Sequence, residues 1–170
     1  MATISGGEKL DRALQEMARQ VSRPASLRVG FLGNATYPDG KSVALIAALQ
    51  EFGTSRMPAR PFFRNMIAQR SPGWPAAVAA NLRANNYDAE RSLDDVGEAI
   101  AGQLQMSIRD LTSPPLAAST IARKGFDKPL VDTGHMLNSV GYEVTGANVS
   151  TYAFDAPTGG YVLTSRTPSR

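Results

Sequence analysis

Apolar residues at Leu93, Val96, Ile100, Leu104, Ile108 and Leu111 step by three or four throughout, and Pro114-Pro115 ends the pattern. A helix of that length carries one apolar stripe, and the rest of the chain must supply a layer to cover it. At 170 residues the chain fits the usual size of one domain, about 100–200 residues. Residues 1–170 are therefore read as a single domain. With 42% hydrophobic and 19% charged residues, there is enough apolar material for a core without staples. There is no cysteine, which excludes a disulfide framework, a thiolate zinc site and a cysteine nucleophile. His135 is the only histidine, so a charge relay has one candidate imidazole and any metal site would have to be built almost wholly from carboxylates.

The flanking segments indicate what covers the long helix. Leu10, Leu14, Met17 and Val21 form an amphipathic stripe ended by Pro24, which predicts a helix over about 5–22, with Ser5 as its cap. Ser26 to Leu32 alternates, placing Leu27, Val29 and Phe31 on one face of a strand. After a loop over 33–41, an alanine-rich helix runs from about Ser42 to Phe52, and Gly53 terminates it. Pro58 and Pro61 bracket an extended connector, and a helix follows from Pro61 to about Arg70. Ser71-Pro72-Gly73 breaks it, Trp74-Pro75 opens another that Asn85-Asn86 closes, and Trp74 reads as a hydrophobic anchor. Beyond the long helix come a short one (Leu116 to Arg123) and another from His135 to Val140, then strands at Gly141–Val144, Val149–Phe154 and Tyr161–Thr164. Ser165 to Arg170 reads as a loose basic tail. The expected fold class is α+β: a small, mostly antiparallel sheet, made of one early strand and a C-terminal meander, covered by several helices including one long central helix. The N-terminal helix and the tail over 165–170 are candidates to project.

A formal charge of +3 is a mild bias, and the basic residues are spread rather than gathered in the stripe expected of a dedicated duplex binder. The acidic Asp88, Glu90, Asp94, Asp95 and Glu98 do cluster, as on a solvated helix face. The amino terminus lacks the basic start and apolar run of a secretion signal. Val43 to Leu49, the most apolar stretch, falls well short of the ~20 residues of a membrane span. The expectation is a protein made in the cytoplasm, without a membrane partner.

Two enzyme motifs must be weighed. Ala35-Thr36-Tyr37-Pro38-Asp39-Gly40-Lys41-Ser42 looks like a relaxed phosphate loop between a strand and a helix, which would make Lys41 and Ser42 nucleotide ligands. Tyr37 is bulky there, and Pro38 removes an N–H from the cradle, so a Pro-Asp-Gly turn before a helix capped by Ser42 is the competing account. Leu130-Val131-Asp132-Thr133-Gly134 looks like the catalytic turn of aspartic proteases, yet those proteins are almost wholly β. Here Asp132 or Thr133 can instead cap the helix that begins beside it. No constellation gives His135 a catalytic role, and neither a cofactor nor a metal is implied.

Glu51-Phe52-Gly53-Thr54-Ser55-Arg56-Met57-Pro58-Ala59-Arg60-Pro61-Phe62-Phe63-Arg64 resembles the signature of tail-completion and neck (head–tail connector) proteins of long-tailed bacteriophages. Ser119 to Gly125, followed by Pro129 to Val140, is similar to a second block of the same proteins. Together these stretches cover about a fifth of the chain. In many members the two blocks come in the opposite order, which leaves subfamily and ring position open.

The resemblance implies a non-catalytic virion structural protein, made in the host bacterial cytoplasm and placed in the neck or at the head-proximal end of the tail. It would be a homo-oligomeric ring, hexamer or dodecamer, between portal-side and tail proteins. Glu51, Phe52, Arg56, Arg60, Phe62, Phe63 and Arg64 become interface candidates. Arg56, Arg60 and Arg64 are also candidates for touching the phosphates of passing viral DNA, or for pairing with acids such as Glu51 or Asp94 across a subunit boundary. The two prolines stiffen the connector that displays these arginines. Phe62 and Phe63 cannot both face one side of a short helix, so either one meets a neighbour or both belong to the core.

Overall fold

A computed structural model describes residues 7–32, 35–130, 134–146, 148–155, 157 and 160–168. The elements are α1 (Gly7–Val21), β1 (Ser26–Phe31), α2 (Val43–Phe52), α3 (Phe62–Arg70), α4 (Trp74–Ala84), α5 (Ala89–Asp110), α6 (Ala118–Lys124), α7 (His135–Asn138), β2 (Val140–Thr145), β3 (Asn148–Asp155) and β4 (Gly160–Pro168). The early strand and the late meander form one antiparallel sheet in the order β1-β2-β3-β4. This is the expected α+β architecture.

α5 organises the core. Asp88 caps it by accepting the Arg91 N–H at 3.1 Å, and Glu90 in the first turn and Arg109 in the last suit the helix dipole. Its stripe of Val96, Ile100, Leu104 and Ile108 is buried, as are Gly97 and Ala101 beside it. One side of α5 lies on β1 and β2, where Leu27 pairs with Val144 and Val29 with Tyr142. Gly97 permits that approach: a Cβ there would come within 2.5 Å of the Tyr142 ring and 2.8 Å of Leu27 Cδ1. The Tyr142 hydroxyl donates to Asp94 at 2.9 Å, and its ring stacks on Tyr152 at 4.6 Å.

α3 and α4 cover other parts of α5. Ser107 donates to the Phe62 carbonyl at 2.7 Å, and the Trp74 indole donates to Gln103 at 3.0 Å, so the expected anchor does join these helices. Ser71–Gly73 does not separate α3 from α4 by a loop; it forms a 3-10 turn, with Pro72 in its first turn, that leads directly into α4.

One expectation at each terminus meets a different outcome. α1 stands clear of the domain, with every residue from Gly7 to Arg19 exposed; Ser5 lies outside the described residues. The supposed loose tail is instead strand: β4 continues to Pro168, pairing Ser165 with Thr151, Arg166 with Ser150 and Thr167 with Val149. Backbone pairing with β3 overrides the polar composition from which a tail was read. Residues 169–170 lie outside the described set. Among the described residues, no helix is long and apolar enough to cross a membrane.

Candidate interaction surface

The segment from Glu51 to Arg64 is a joint between two helices. α2 ends at Phe52, and Gly53, at φ +73°, turns the chain; its missing Cβ would lie 2.7 Å from Ala59 N and 2.8 Å from Met57 O. Thr54 and Met57 close a tight turn through reciprocal backbone bonds of 2.8 and 3.3 Å. Pro61 leaves α3 without a capping side chain of its own. Glu51, one helix earlier, supplies the cap. Its carboxylate accepts the Phe63 N–H at 2.9 Å, the Arg64 N–H at 3.2 Å and Arg64 Nε at 2.8 Å. Arg64 Nη2 also donates to the Glu51 carbonyl at 3.0 Å.

Arg60 makes the second fastening. Its guanidinium donates to Gln50 Oε1 at 3.2 Å and to the carbonyls of Pro114 and Pro115 at 3.4 Å each, tying the connector to the chain beyond α5. Burial lowers its pKa from the ordinary guanidinium value.

These bonds divide the sequence-predicted residues. Glu51, Arg60 and Phe62 are 5%, 4% and 1% exposed, so they are internal supports and not surface contacts. The expectation that Arg60 reaches DNA or a neighbouring subunit is corrected on that ground. Glu51 pairs with Arg64 inside the chain, where a pairing across a subunit boundary had been an alternative. Phe62 enters the core edge-on to Phe31, at 6.3 Å, while Phe63 is half-buried with its ring parallel to that of Phe62. The remaining three face outward. Phe52 is 68% exposed, with Arg64 over its ring at 5.1 Å, and Arg56 projects from the turn.

A groove of about 860 Å³ lies between this connector, α2, α6 and the approach to α7. Met57, Leu130 and Met136 give it an apolar lining, Arg56, Arg123 and Lys124 give it positive charge, and Lys41 and Asp39 line it as an ion pair. Among the described residues, the guanidinium groups of Arg56 and Arg123 make no hydrogen bond or ion pair, so they are available to an anionic partner. The block from Ser119 to Gly125 therefore lines the same groove as the connector, a proximity that no sequence spacing reveals.

The loop before α2 takes the shape of a turn. Gly40 N bonds to Tyr37 O at 2.9 Å, and Ser42 caps α2 by accepting the Leu45 N–H at 3.4 Å. Lys41 Nζ bonds to Asp39 at 2.6 Å, which holds the Asp39 carboxyl below its usual pKa. Lysine and hydroxyl are thus both engaged locally. His135 Nε2 lies 2.8 Å from the Thr36 carbonyl with its ring against Tyr37, so it pins this loop to α7. Asp132 and Thr133 lie outside the described residues. Among the described residues, no group of three or more histidines or acids is placed to hold a metal ion.

Neither a protein-family model, nor a curated protein, nor a solved structure matches this chain.

Proposed function

We propose that the protein is a structural subunit of the neck or head-proximal tail end of a long-tailed bacteriophage, acting by assembly into a homo-oligomeric ring. The observation that carries this reading is the construction of the segment on which the resemblance rests. Buried Glu51 and Arg60 lock residues 51–64 into a stiff joint, and the joint holds Phe52, Arg56 and Arg64 at the surface. Immobilising such groups before association reduces the entropy lost on binding. Seven bonds fasten this joint, and they suit a surface that must present the same contacts in every copy of a ring.

In this reading the basic groove receives an acidic segment of a portal-side or tail-side protein. Arg56 and Arg64 are the remaining candidates for non-specific contact with passing DNA, in which phosphate contacts position without reading sequence. The protein works without catalysis and without a cofactor.

The test is electron microscopy of particles from a phage carrying a stop codon in this gene. Full heads beside unjoined or abnormally ended tails are expected. Normally joined particles would overturn the reading, unexpanded heads would point to a protease, and empty heads to a packaging ATPase.

A further inference from the structure

Among the described residues, two helical surfaces lack a partner, and they match. On α1, Ala13, Met17, Leu10, Leu14, Gly7 and Ala18 occupy an uncharged sector roughly 140° wide at about 100° per residue. Leu10 and Leu14 are more than half exposed. A single helix of this length is marginal in water, because its stability in proteins comes mainly from packing its apolar face. α2 is apolar on both sides. Val43 and Ala47 enter the core, and Glu51 turns inward to cap α3. That leaves Ala44, Ala48, Phe52, Leu45 and Leu49 on an outward sector that is also roughly 140° wide and uncharged. A small apolar hollow of about 250 Å³ runs beside it, with Ala44 and Ala48 on one wall and Phe31 and Phe63 on the other. Small residues one turn apart form a trough that accepts the leucines of a second helix.

The arm does not lie on its own α2, since every residue from Gly7 to Arg19 is exposed. The root of α1 sits at the start of β1, where Gln20 and Arg23 share a pocket with Asp88 and Asp94. The hollow lies at the other end of β1, beside Phe31, about 17 Å away at the rise of an extended strand. The rims carry opposite charges that can meet: Asp11 borders the α1 sector, and Arg64, half-exposed and already paired with Glu51, borders the α2 face over Phe52.

We infer that α1 of one copy docks on the outward face of α2 of the next, an arm exchange in which Leu10, Leu14 and Met17 cover Ala44, Ala48 and Phe52. The two patches differ, so the contact is head-to-tail, the type that closes into rings when the rotation permits. It supplies a joint for the proposed ring and rests on that reading only for its biological setting.

The absence of cysteine makes the test direct. Full-length Leu14→Cys and Ala48→Cys chains, carrying different tags, are mixed and treated with a short bismaleimide. A mixed cross-link at least tenfold above that of Arg12→Cys with Ala48→Cys is expected, since Arg12 lies on the far side of α1. Adding Leu10→Asp to the Leu14→Cys chain should abolish it while leaving the circular dichroism and melting temperature of the domain unchanged. Predominant Leu14→Cys self-linking would overturn the inference in favour of paired arms. Intrachain linking in the double variant would overturn it in favour of an arm folded on its own α2, and a yield equal to the control would also overturn it. The two proposals fail separately: cross-linking uses purified protein alone, whereas normal particles from the stop-codon phage would remove the neck reading and leave the contact standing.

Discussion

Glu51 Oε1 lies 2.8 Å from Arg64 Nε, and the same carboxylate caps the helix to which Arg64 belongs. Arg64 is therefore held through its backbone and its side chain by one acid from the preceding helix. That acid is buried while the Arg64 side chain remains half-exposed, so a surface cation is fixed by an internal anion.

Replacing Glu51 by alanine leaves two helix N–H groups without their acceptor, one of them half-buried, and removes the ion pair. A loss of about 2–4 kcal/mol is expected, with Glu51→Gln costing less because it retains one acceptor oxygen. Urea denaturation with an unchanged m-value checks this, and equal costs for both variants would contradict it.

Arg60 and Arg56 separate support from surface. Arg60→Lys loses the fork that reaches Gln50, Pro114 and Pro115 together, which should cost about 1–3 kcal/mol and speed amide exchange at residues 116–118. Arg56→Ala should stay within about 0.5 kcal/mol of the parent. Hydrogen exchange and thermal melts on both variants distinguish the two roles.

Gly97→Ala places a methyl against Tyr142 and Leu27 at the contact between α5 and the sheet. Overpacking of this kind costs about 1–3 kcal/mol. Gly53→Ala should cost at least as much, because its contacts are backbone atoms and its φ is positive. Gly102→Ala, in open space within α5, should instead stabilise by about 0.5–1 kcal/mol because alanine is the better helix former, so the same melting series reads opposite signs at Gly97 and Gly102.

Alkaline pH should unfold the protein through its tyrosines. Burial raises the pKa of Tyr142, Tyr152 and Tyr161 above the ordinary phenol value of 10.0, and Asp94 adds to the shift at Tyr142 and Tyr152. Above that pH the unfolded chain releases protons that the folded chain keeps, so stability is full below about pH 10 and falls as pH rises. The slope is about 1.4 kcal/mol per pH unit for each phenol. Phenolate absorbance should show Tyr142, Tyr152 and Tyr161 ionising only with unfolding; ionisation of these three near pH 10 in the folded chain would contradict this.

The elements that local chemistry dictates were legible in the sequence. The stripe from Leu93 to Leu111 specified α5, the alternation of Leu27, Val29 and Phe31 specified β1, and Ser42 and Gly53 marked both ends of α2. Helix periodicity, caps and left-handed glycine are properties of a few consecutive residues, so no tertiary contact is needed to read them. What the tertiary structure decided was which side chains of one dense motif face inward. Glu51 caps a helix to which it does not belong, Arg60 reaches carbonyls beyond α5, and the polar end of the chain becomes strand because β3 offers it a ladder. Each depends on groups far apart in sequence meeting through the fold, and a charged residue written into a surface-like motif carries no local mark of where its hydrogen bonds will go.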